Sequence, residues 1–214
     1  MLAICTPVYR QVEADFLTSL SRTMELGGIR WLHVKGHANL ARSRNYLVQE
    51  ARDRGADQIV FIDSDIGWEP EALGQLFDCP EECRVVAGAP QRRDDGVIRF
   101  CSMPDRIMRR EGQLISGIGA TAFMRIAASV FDELESKVPA YAYQGKQYPA
   151  FFQTPVQDGE LLDEDVFFSR LCKANGIEVW LNPEIPLRHW HHSPLTAVMA
   201  EHVKFKPLRE AVNG

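Results

Sequence analysis

The sequence predicts an α/β protein whose amino-terminal half contains a doubly wound parallel sheet. Strand-like and helix-like patterns alternate over roughly the first ninety residues, an order typical of strands joined by crossover helices. The run Ile59–Ile62 is continuously apolar, as expected for a strand buried on both faces. Two carboxylates, Asp63 and Asp65, follow it directly, at the sheet edge where open α/β sheets bind ligands.

The other elements of this first half follow from apolar spacing and from residues that start or stop helices. Val12, Phe16, Leu20 and Met24 recur every fourth residue before Gly27, which predicts a helix with a glycine stop. A second helix is predicted to begin after the cap residue Asn39 and to end at Gly55, and a short third helix covers Pro70–Phe77. The remaining predicted strands are Leu2–Pro7, Ile29–Val34 and Val85–Gly88.

The second half has a less regular pattern. Strands are predicted at Val97–Ser102, Gln113–Arg125 and Glu178–Leu181, and helices at Ala127–Lys137 and from Asp163 to Asn175. Pro139–Gly159 is rich in tyrosine, proline and glycine without periodicity, so we interpret it as a long binding loop or lid. Its aromatic residues either stack on a sugar ring or pack the loop: Tyr141, Tyr143, Tyr148, Phe151 and Phe152.

Composition narrows the class of protein. The chain has 214 residues and no visible linker, so we expect a single domain over 1–214, with halves of about 1–95 and 96–192 and a C-terminal helix or tail at 193–214. The net charge of −5 predicts no general affinity for nucleic acid or anionic membranes. Five scattered cysteines argue against a disulfide framework, and no segment has the length of a membrane span or resembles a signal peptide. We therefore expect a cytoplasmic protein.

The Asp63–Ser64–Asp65 motif allows more than one interpretation by itself. Side chains two apart in an extended segment point the same way, so both carboxylates can bind one cation, but two acids after a strand also form ordinary Asx turns. Haloacid-dehalogenase-like phosphatases and GT-A-type glycosyltransferases both place Asp-x-Asp after an apolar strand. The phosphatase motif usually occupies the first strand, whereas two predicted strands precede it here, so the phosphatase stays a minor alternative.

Five segments in order resemble the family 2-like, GT-A-type glycosyltransferases, in particular their small viral, phage and bacterial forms. These segments are Thr6–Tyr9, Leu40–Asn45, Phe61–Ile66, Ala87–Arg93 and Ser116–Ala120. The resemblance implies a Rossmann-like nucleotide-binding half fused to a mixed-sheet acceptor half. It also implies a nucleotide-diphosphate sugar donor and a carbohydrate or other hydroxyl acceptor. The residues that would contact the nucleotide or donor are Thr6, Pro7, Tyr9, Arg44, Asn45, Asp63, Arg92, Gly117 and Gly119.

The same resemblance assigns the metal site. Asp63, Asp65 and His189 would bind Mn²⁺ or Mg²⁺, with Asp63 shared between the metal and the ribose, and His191 is the substitute if the register shifts by two. A ligand set of imidazole and carboxylate suits Mn²⁺. Many relatives carry a nucleobase-reading aspartate after the second strand, and the segment Leu32–Gly36 has none.

Glu164–Asp165 resembles the family's ED motif, in which the aspartate is the general base of inverting transfer and the glutamate orients the acceptor or a neighbouring group. Acids in the first turn of a helix also favour the helix dipole without any catalytic purpose. Burial by Phe167 and Phe168 would raise the pKa of Asp165, while the helix terminus would lower it, so the sequence leaves the net shift open. A catalytically silent sugar-nucleotide binding module is the alternative to an active transferase.

Overall fold

The computed structural model describes residues 1–89, 115–182, 184–191 and 193–197. The predicted strand Val97–Ser102, the predicted donor-binding residue Arg92 and the chain beyond residue 197 lie outside these ranges. Only the backbone of His191 is described, so its role as a substitute metal ligand stays a prediction.

Strands and helices alternate in the first half, as the sequence predicts. The helices are α1 (Ala14–Met24), α2 (Leu40–Asp53), α3 (Pro70–Gln75), α4 (Ala128–Leu134) and α5 (Glu164–Ala174), with a 3-10 turn at Glu135–Lys137. The first seven strands are β1 (Leu2–Val8), β2 (Ile29–Lys35), β3 (Gln58–Ile62), β4 (Ile66–Gly67), β5 (Val85–Ala87), β6 (Ile115–Ser116) and β7 (Phe123–Ala127). The others are β8 (Ala140–Tyr143), β9 (Lys146–Pro149), β10 (Val156–Gln157), β11 (Glu160–Leu161), β12 (Val179–Leu181), β13 (Leu187–His191) and β14 (Ser193–Ala197).

A mixed central sheet contains strands from both halves of the chain. Within the described residues its order is β2-β1-β3-β7-β5-β12-β6, with β1, β2 and β3 parallel to one another. Strand β7 runs antiparallel to both β3 and β5, so the parallel pattern of the first half stops there. The α/β class, the Rossmann-like first half and the mixed sheet of the second half are therefore confirmed.

Both faces of the sheet are covered, which explains the continuous apolar run of β3. Ile59 and Phe61 face the core formed with α2, α4 and α5, whereas Val60 and Ile62 face the core formed with α1 and α3. All four side chains are fully buried. The alternation of a strand between two cores matches the expectation for a parallel strand between helical layers. In the described part of the chain, the helices are too short or too polar to cross a membrane.

The segment Pro139–Gly159 is not the irregular loop that its composition indicated. It contains the antiparallel hairpin β8–β9 and enters a second hairpin, β10–β11. The hairpin turns are Gln144–Gly145 and Asp158–Gly159, and all four residues have positive φ, as two-residue hairpin turns require. The segment lacks periodicity because its strands are short, and its hairpin signal lies in the Asp158–Gly159 turn dipeptide.

The aromatic residues of this segment pack more than they protrude. Phe151 and Phe152 are 1% exposed and lie in the core against Phe131 and Phe168, and Tyr148 is also buried. Packing is therefore the correct interpretation for these three rings.

A small second sheet supports the end of β3. Strand β13 pairs with β4 and β14, and this pairing sets His189 opposite Ile66. His189 therefore lies within β13, which follows β12 in the chain. Arg188 donates to both carboxylate oxygens of Asp15, at 2.8 and 3.0 Å, and the Trp190 indole donates to the same carboxylate at 2.9 Å. The hydrogen bonds from Arg188 hold the pKa of Asp15 below its usual value.

The close approach of Asp15 to β4 predicts that Gly67 cannot be replaced by a larger residue without a loss of stability. A Cβ atom there would overlap the Asp15 carboxylate, which Arg188 and Trp190 hold in place. We expect Gly67→Ala to lower the free energy of unfolding by about 1–3 kcal/mol, measured by urea denaturation. Gly74→Ala is the matched control, because a Cβ there meets nothing within 4 Å and alanine favours helix α3. Equal effects of the two substitutions would contradict this account of β4.

Candidate active site

A cavity of about 210 Å³ lies at the carboxyl ends of β1 and β3. The strand ends supply part of its wall, and the segment leading into α2 supplies the rest. Four of the residues that the sequence assigned to the nucleotide or metal meet here: Pro7, Tyr9, Asp63 and Asp65. Parallel strands end at the same edge, which is why residues from distant parts of the sequence converge.

Arg44 lies beneath this cavity and is 1% exposed. Its Nη2 atom donates to Oδ1 of Asp63 at 3.0 Å, and its Nε atom donates to Oε1 of Glu164 at 3.1 Å. Burial alone would lower the pKa of Arg44, but the two carboxylates more than offset it and raise the pKa above its usual value. In this arrangement Arg44 faces two protein carboxylates, so the phosphate contact assigned to it stays a prediction.

Asp65 and His189 come together across the pairing of β4 and β13. The His189 Nε2 atom lies 3.7 Å from Oδ2 of Asp65, and the Trp190 backbone N–H donates to the Asp65 carbonyl at 3.0 Å. Asp63, the third predicted ligand, is turned toward Arg44. Among the described residues, no three side chains of His, Cys, Asp or Glu form a cluster able to hold a metal ion. Within the described ranges, Asp65 and His189 are the two predicted metal ligands that lie next to each other, and their binding of a metal stays a prediction.

Asp165 occupies the first turn of α5, next to Glu164. Burial, with a smaller contribution from the neighbouring Glu164 carboxylate, raises its pKa to about 6. The Val166 backbone N–H, which donates to Oδ1 of Asp165 at 2.7 Å, and the charge of Arg44 act in the opposite direction. Burial therefore outweighs the helix terminus and decides the shift that the sequence left open.

Several predicted donor-binding residues build the framework of the site. The Thr6 hydroxyl is buried and accepts from the Trp31 indole at 3.1 Å. The Asn45 amide holds the backbone of Phe152 through two hydrogen bonds, at 3.0 and 2.9 Å.

The two predicted glycines also bond within the protein. The Gly117 N–H donates to the Val179 carbonyl at 3.0 Å, and the Gly119 N–H donates to the Ser169 hydroxyl at 3.2 Å. These glycine contacts, like those of Thr6 and Asn45, are made within the protein, so the donor contacts assigned to the four residues stay predictions.

The sequence did not predict one polar residue of the cavity wall, His37. Its Nε2 atom lies 3.5 Å from the Tyr143 hydroxyl, and burial, with a smaller contribution from the charge of Arg42, lowers its pKa. The available signal was its position, two residues before the helix cap Asn39 and after a strand that ends at the site. The imidazole is thus predominantly neutral at pH 7 and offers the cavity one donor or one acceptor.

No protein-family model matches the chain, and no curated protein matches it. Several solved structures, however, have a similar fold. A197 from STIV aligns with a TM-score of 0.59 and 12% identity over 89% of this chain and 85% of that chain. The fold is of the GT-A type. TarS 1–349 from S. aureus, solved in complex with UDP-GlcNAc, aligns with a TM-score of 0.50 and 12% identity over 85% of this chain. The chain spans 55% of that TarS structure, and at this identity the likeness establishes the GT-A fold alone.

The buried pairing of Arg44 predicts a large cost for its removal. Arg44→Gln would leave Asp63 and Glu164 near each other without their shared cation, so we expect the free energy of unfolding at pH 7 to fall by about 2–4 kcal/mol. The measurement is urea denaturation followed by circular dichroism.

The matched control is Arg54→Gln, which removes an exposed ion pair with Glu50 one helical turn away on the same helix. Such a pair contributes about 0.5 kcal/mol or less. Similar losses in both variants would show that the Arg44 contacts are not the support we describe.

Proposed function

We propose that this GT-A-fold protein transfers a sugar from a nucleotide-diphosphate donor to an acceptor hydroxyl, with inversion at the anomeric carbon. The observation that carries the proposal is the Arg44 bridge, which holds the Glu164–Asp165 pair at the same sheet edge as Asp63 and Asp65. A poised base and a potential cation site then share one edge of the fold, as a transfer from a diphosphate to a hydroxyl requires.

The cavity at the ends of β1 and β3 is the proposed nucleotide site. Tyr9 and His37 supply rings for a planar base, and Asp63 and Asp65 lie at the same cavity. The complex of TarS with UDP-GlcNAc, in a protein of related fold, supports a donor of this class.

Asp65 and His189 fit a divalent cation that shares its coordination with the donor's phosphates. Carboxylate oxygen and imidazole nitrogen suit Mn²⁺, and Mg²⁺ is commonly bound through one carboxylate, substrate phosphates and water. Asp63, which forms an ion pair with Arg44, would bond the ribose or assist the cation indirectly. When bound, the cation would stabilise the negative charge that develops on the departing diphosphate.

Asp165 is the proposed general base. With a pKa of about 6 it is mostly ionised at pH 7, yet it accepts a proton more readily than an ordinary aspartate. It takes the proton of the acceptor hydroxyl as the oxygen forms a bond to the anomeric carbon from the face opposite the diphosphate. The bond from that carbon to the diphosphate oxygen breaks, and its electron pair leaves with the nucleoside diphosphate.

The site should bind a nucleotide in a metal-dependent way. In a thermal-shift panel of nucleoside diphosphates and their sugars, we expect one nucleotide to raise Tm by about 5–10 °C at about 100-fold over its Kd, with Mn²⁺ or Mg²⁺ present. Asp65→Asn should remove the metal-dependent part of this shift, because it removes a negative ligand.

The exposed acid Asp78, replaced by Asn, is the control for the loss of one negative charge. The absence of a shift across the whole panel would overturn the proposal. A phosphate mimic trapped at Asp63 without nucleotide preference would instead favour the phosphatase alternative.

Asp165→Asn should separate catalysis from binding and stability. We expect kcat to fall by about 10²- to 10⁴-fold while the nucleotide-induced Tm shift is retained. Unfolded aspartate has a lower pKa, so the ionised carboxylate destabilises the fold once pH rises through about 6. Asparagine removes this cost, and the free energy of unfolding at pH 7 should rise by about 1–2 kcal/mol.

The pH profile supplies a second measurement of the same base. Wild-type kcat/KM should rise with pH through about 6 and level off above it, because the base must be ionised. The control is Glu160→Gln, an exposed acid on β11, which should leave the pH profile unchanged. Equal transfer rates for wild type and Asp165→Asn would remove Asp165 from the mechanism, and donor binding without any turnover would identify a silent binding module.

A further inference from the structure

A second cavity, of about 270 Å³, borders α2 on the side that carries Ala41 and Asn45. The cap residue Asn39 and two residues of α2, Arg42 and Asn45, form one part of its walls. Strand β8 contributes Tyr141, and the segment after Phe152 contributes Gln153 and Thr154. The two hydrogen bonds between Asn45 and the Phe152 backbone make this wall rigid. The cavity is therefore a formed feature of the fold.

Arg42 gives the cavity a positive charge. Arg42 lies with its guanidinium 4.7 Å from the centre of the Tyr143 ring, and among the described residues it forms no ion pair. Its Nε atom is buried and has no hydrogen-bond partner within the described ranges. No Asp or Glu is among the described residues that line the cavity. A buried donor on a cation is costly to leave unsatisfied, so this position favours an anionic ligand.

Two further features of the walls favour the same class of ligand. The Tyr141 hydroxyl is buried and, in the described part of the chain, has no hydrogen-bond partner of good geometry. The cavity also lies at the amino end of α2, where the Asn39 side chain accepts from the Arg42 backbone N–H at 2.8 Å. A helix of 14 residues concentrates partial positive charge at this end.

The position of the cavity links it to the proposed reaction. It shares the first turns of α2 with the nucleotide cavity, which is lined by Leu40 and Ser43 of the same helix. Tyr143 contacts one wall residue of each cavity, since its ring lies under Arg42 and its hydroxyl is 3.5 Å from His37. From Gln153 and Thr154 the chain runs through the hairpin β10–β11 and then into α5, the helix that carries Asp165.

We propose that this cavity binds the anionic group, a phosphate or a carboxylate, of the acceptor substrate. The assignment to an acceptor rests on the proposed transferase function, whereas the anion site itself rests on Arg42 and Tyr141. An acceptor anchored there by its charge would present a hydroxyl toward Asp165, while the donor occupies the neighbouring cavity.

Isothermal titration calorimetry with glucose 6-phosphate, glucuronate and glucose at low ionic strength tests the anion site. We expect one or both anionic sugars to bind and glucose to bind at least about 10-fold more weakly, since it lacks the charge. The stronger of the two anionic probes identifies phosphate or carboxylate as the group recognised. Arg42→Gln should weaken anion binding by about 10- to 100-fold, and Tyr141→Phe by about 3- to 10-fold.

The matched control is Arg30→Gln, an exposed arginine on β2 outside both cavities, which should leave anion binding unchanged. UDP affinity in the presence of Mn²⁺ should be the same in wild type and Arg42→Gln. Equal anion binding by wild type and Arg42→Gln, equal binding of glucose, or displacement of the sugar phosphate by UDP would each overturn the proposal. Because the titration needs no nucleotide and no turnover, its failure is distinguishable from failure of the transferase function.

Discussion

The guanidinium of Arg44 is buried between Asp63 and Glu164, and the arrangement of the candidate site depends on this contact. A buried cation without a partner would be strongly destabilising, so α2, the end of β3 and the start of α5 must remain together. The bridge has a chemical consequence as well. It pairs Asp63 with Arg44, while Asp65 lies beside His189, and it places a positive charge near Asp165 that limits the rise of that pKa.

A second arginine has the same organising role on the other face of the sheet. Arg188 connects Asp15 at the start of α1 with Glu69 before α3, and its strand neighbour His189 is thereby held beside Asp65. The absence of a side chain at Gly67 gives the Asp15 carboxylate the space that it needs. Each network uses one arginine to bind two acids from different elements, so the two halves of the chain meet at the same sheet edge.

Local patterns were sufficient for most of the elements and insufficient for the segment between residues 139 and 160. The apolar run of β3 reflects a preference for a buried strand, and Asn39 reflects a preference for a helix start. The structure has the strand and the helix cap at these positions. The hairpins of the second half are short and carry few alternating apolar residues, so their signal lies in the turn dipeptides. Asp158–Gly159 has that chemistry and Gln144–Gly145 has it more weakly, because glutamine tolerates a positive φ less well than aspartate.

The sequence by itself determined the order of strands and helices, the placement of Asp63 and Asp65 directly after a buried strand, and the start of a helix at Glu164–Asp165. These are consequences of spacing and of residues within one or two turns of each other. Only the tertiary structure decided that Arg44 faces Asp63 and Glu164, that His189 lies on a strand beside Asp65, and that burial raises the pKa of Asp165. The partners in such contacts lie far apart in the chain. Arg44 and Glu164 are 120 positions apart, and Asp15 and Arg188, whose contact holds β13 in place, are 173 positions apart. Contacts over such distances depend on how the layers pack, which residue spacing does not encode.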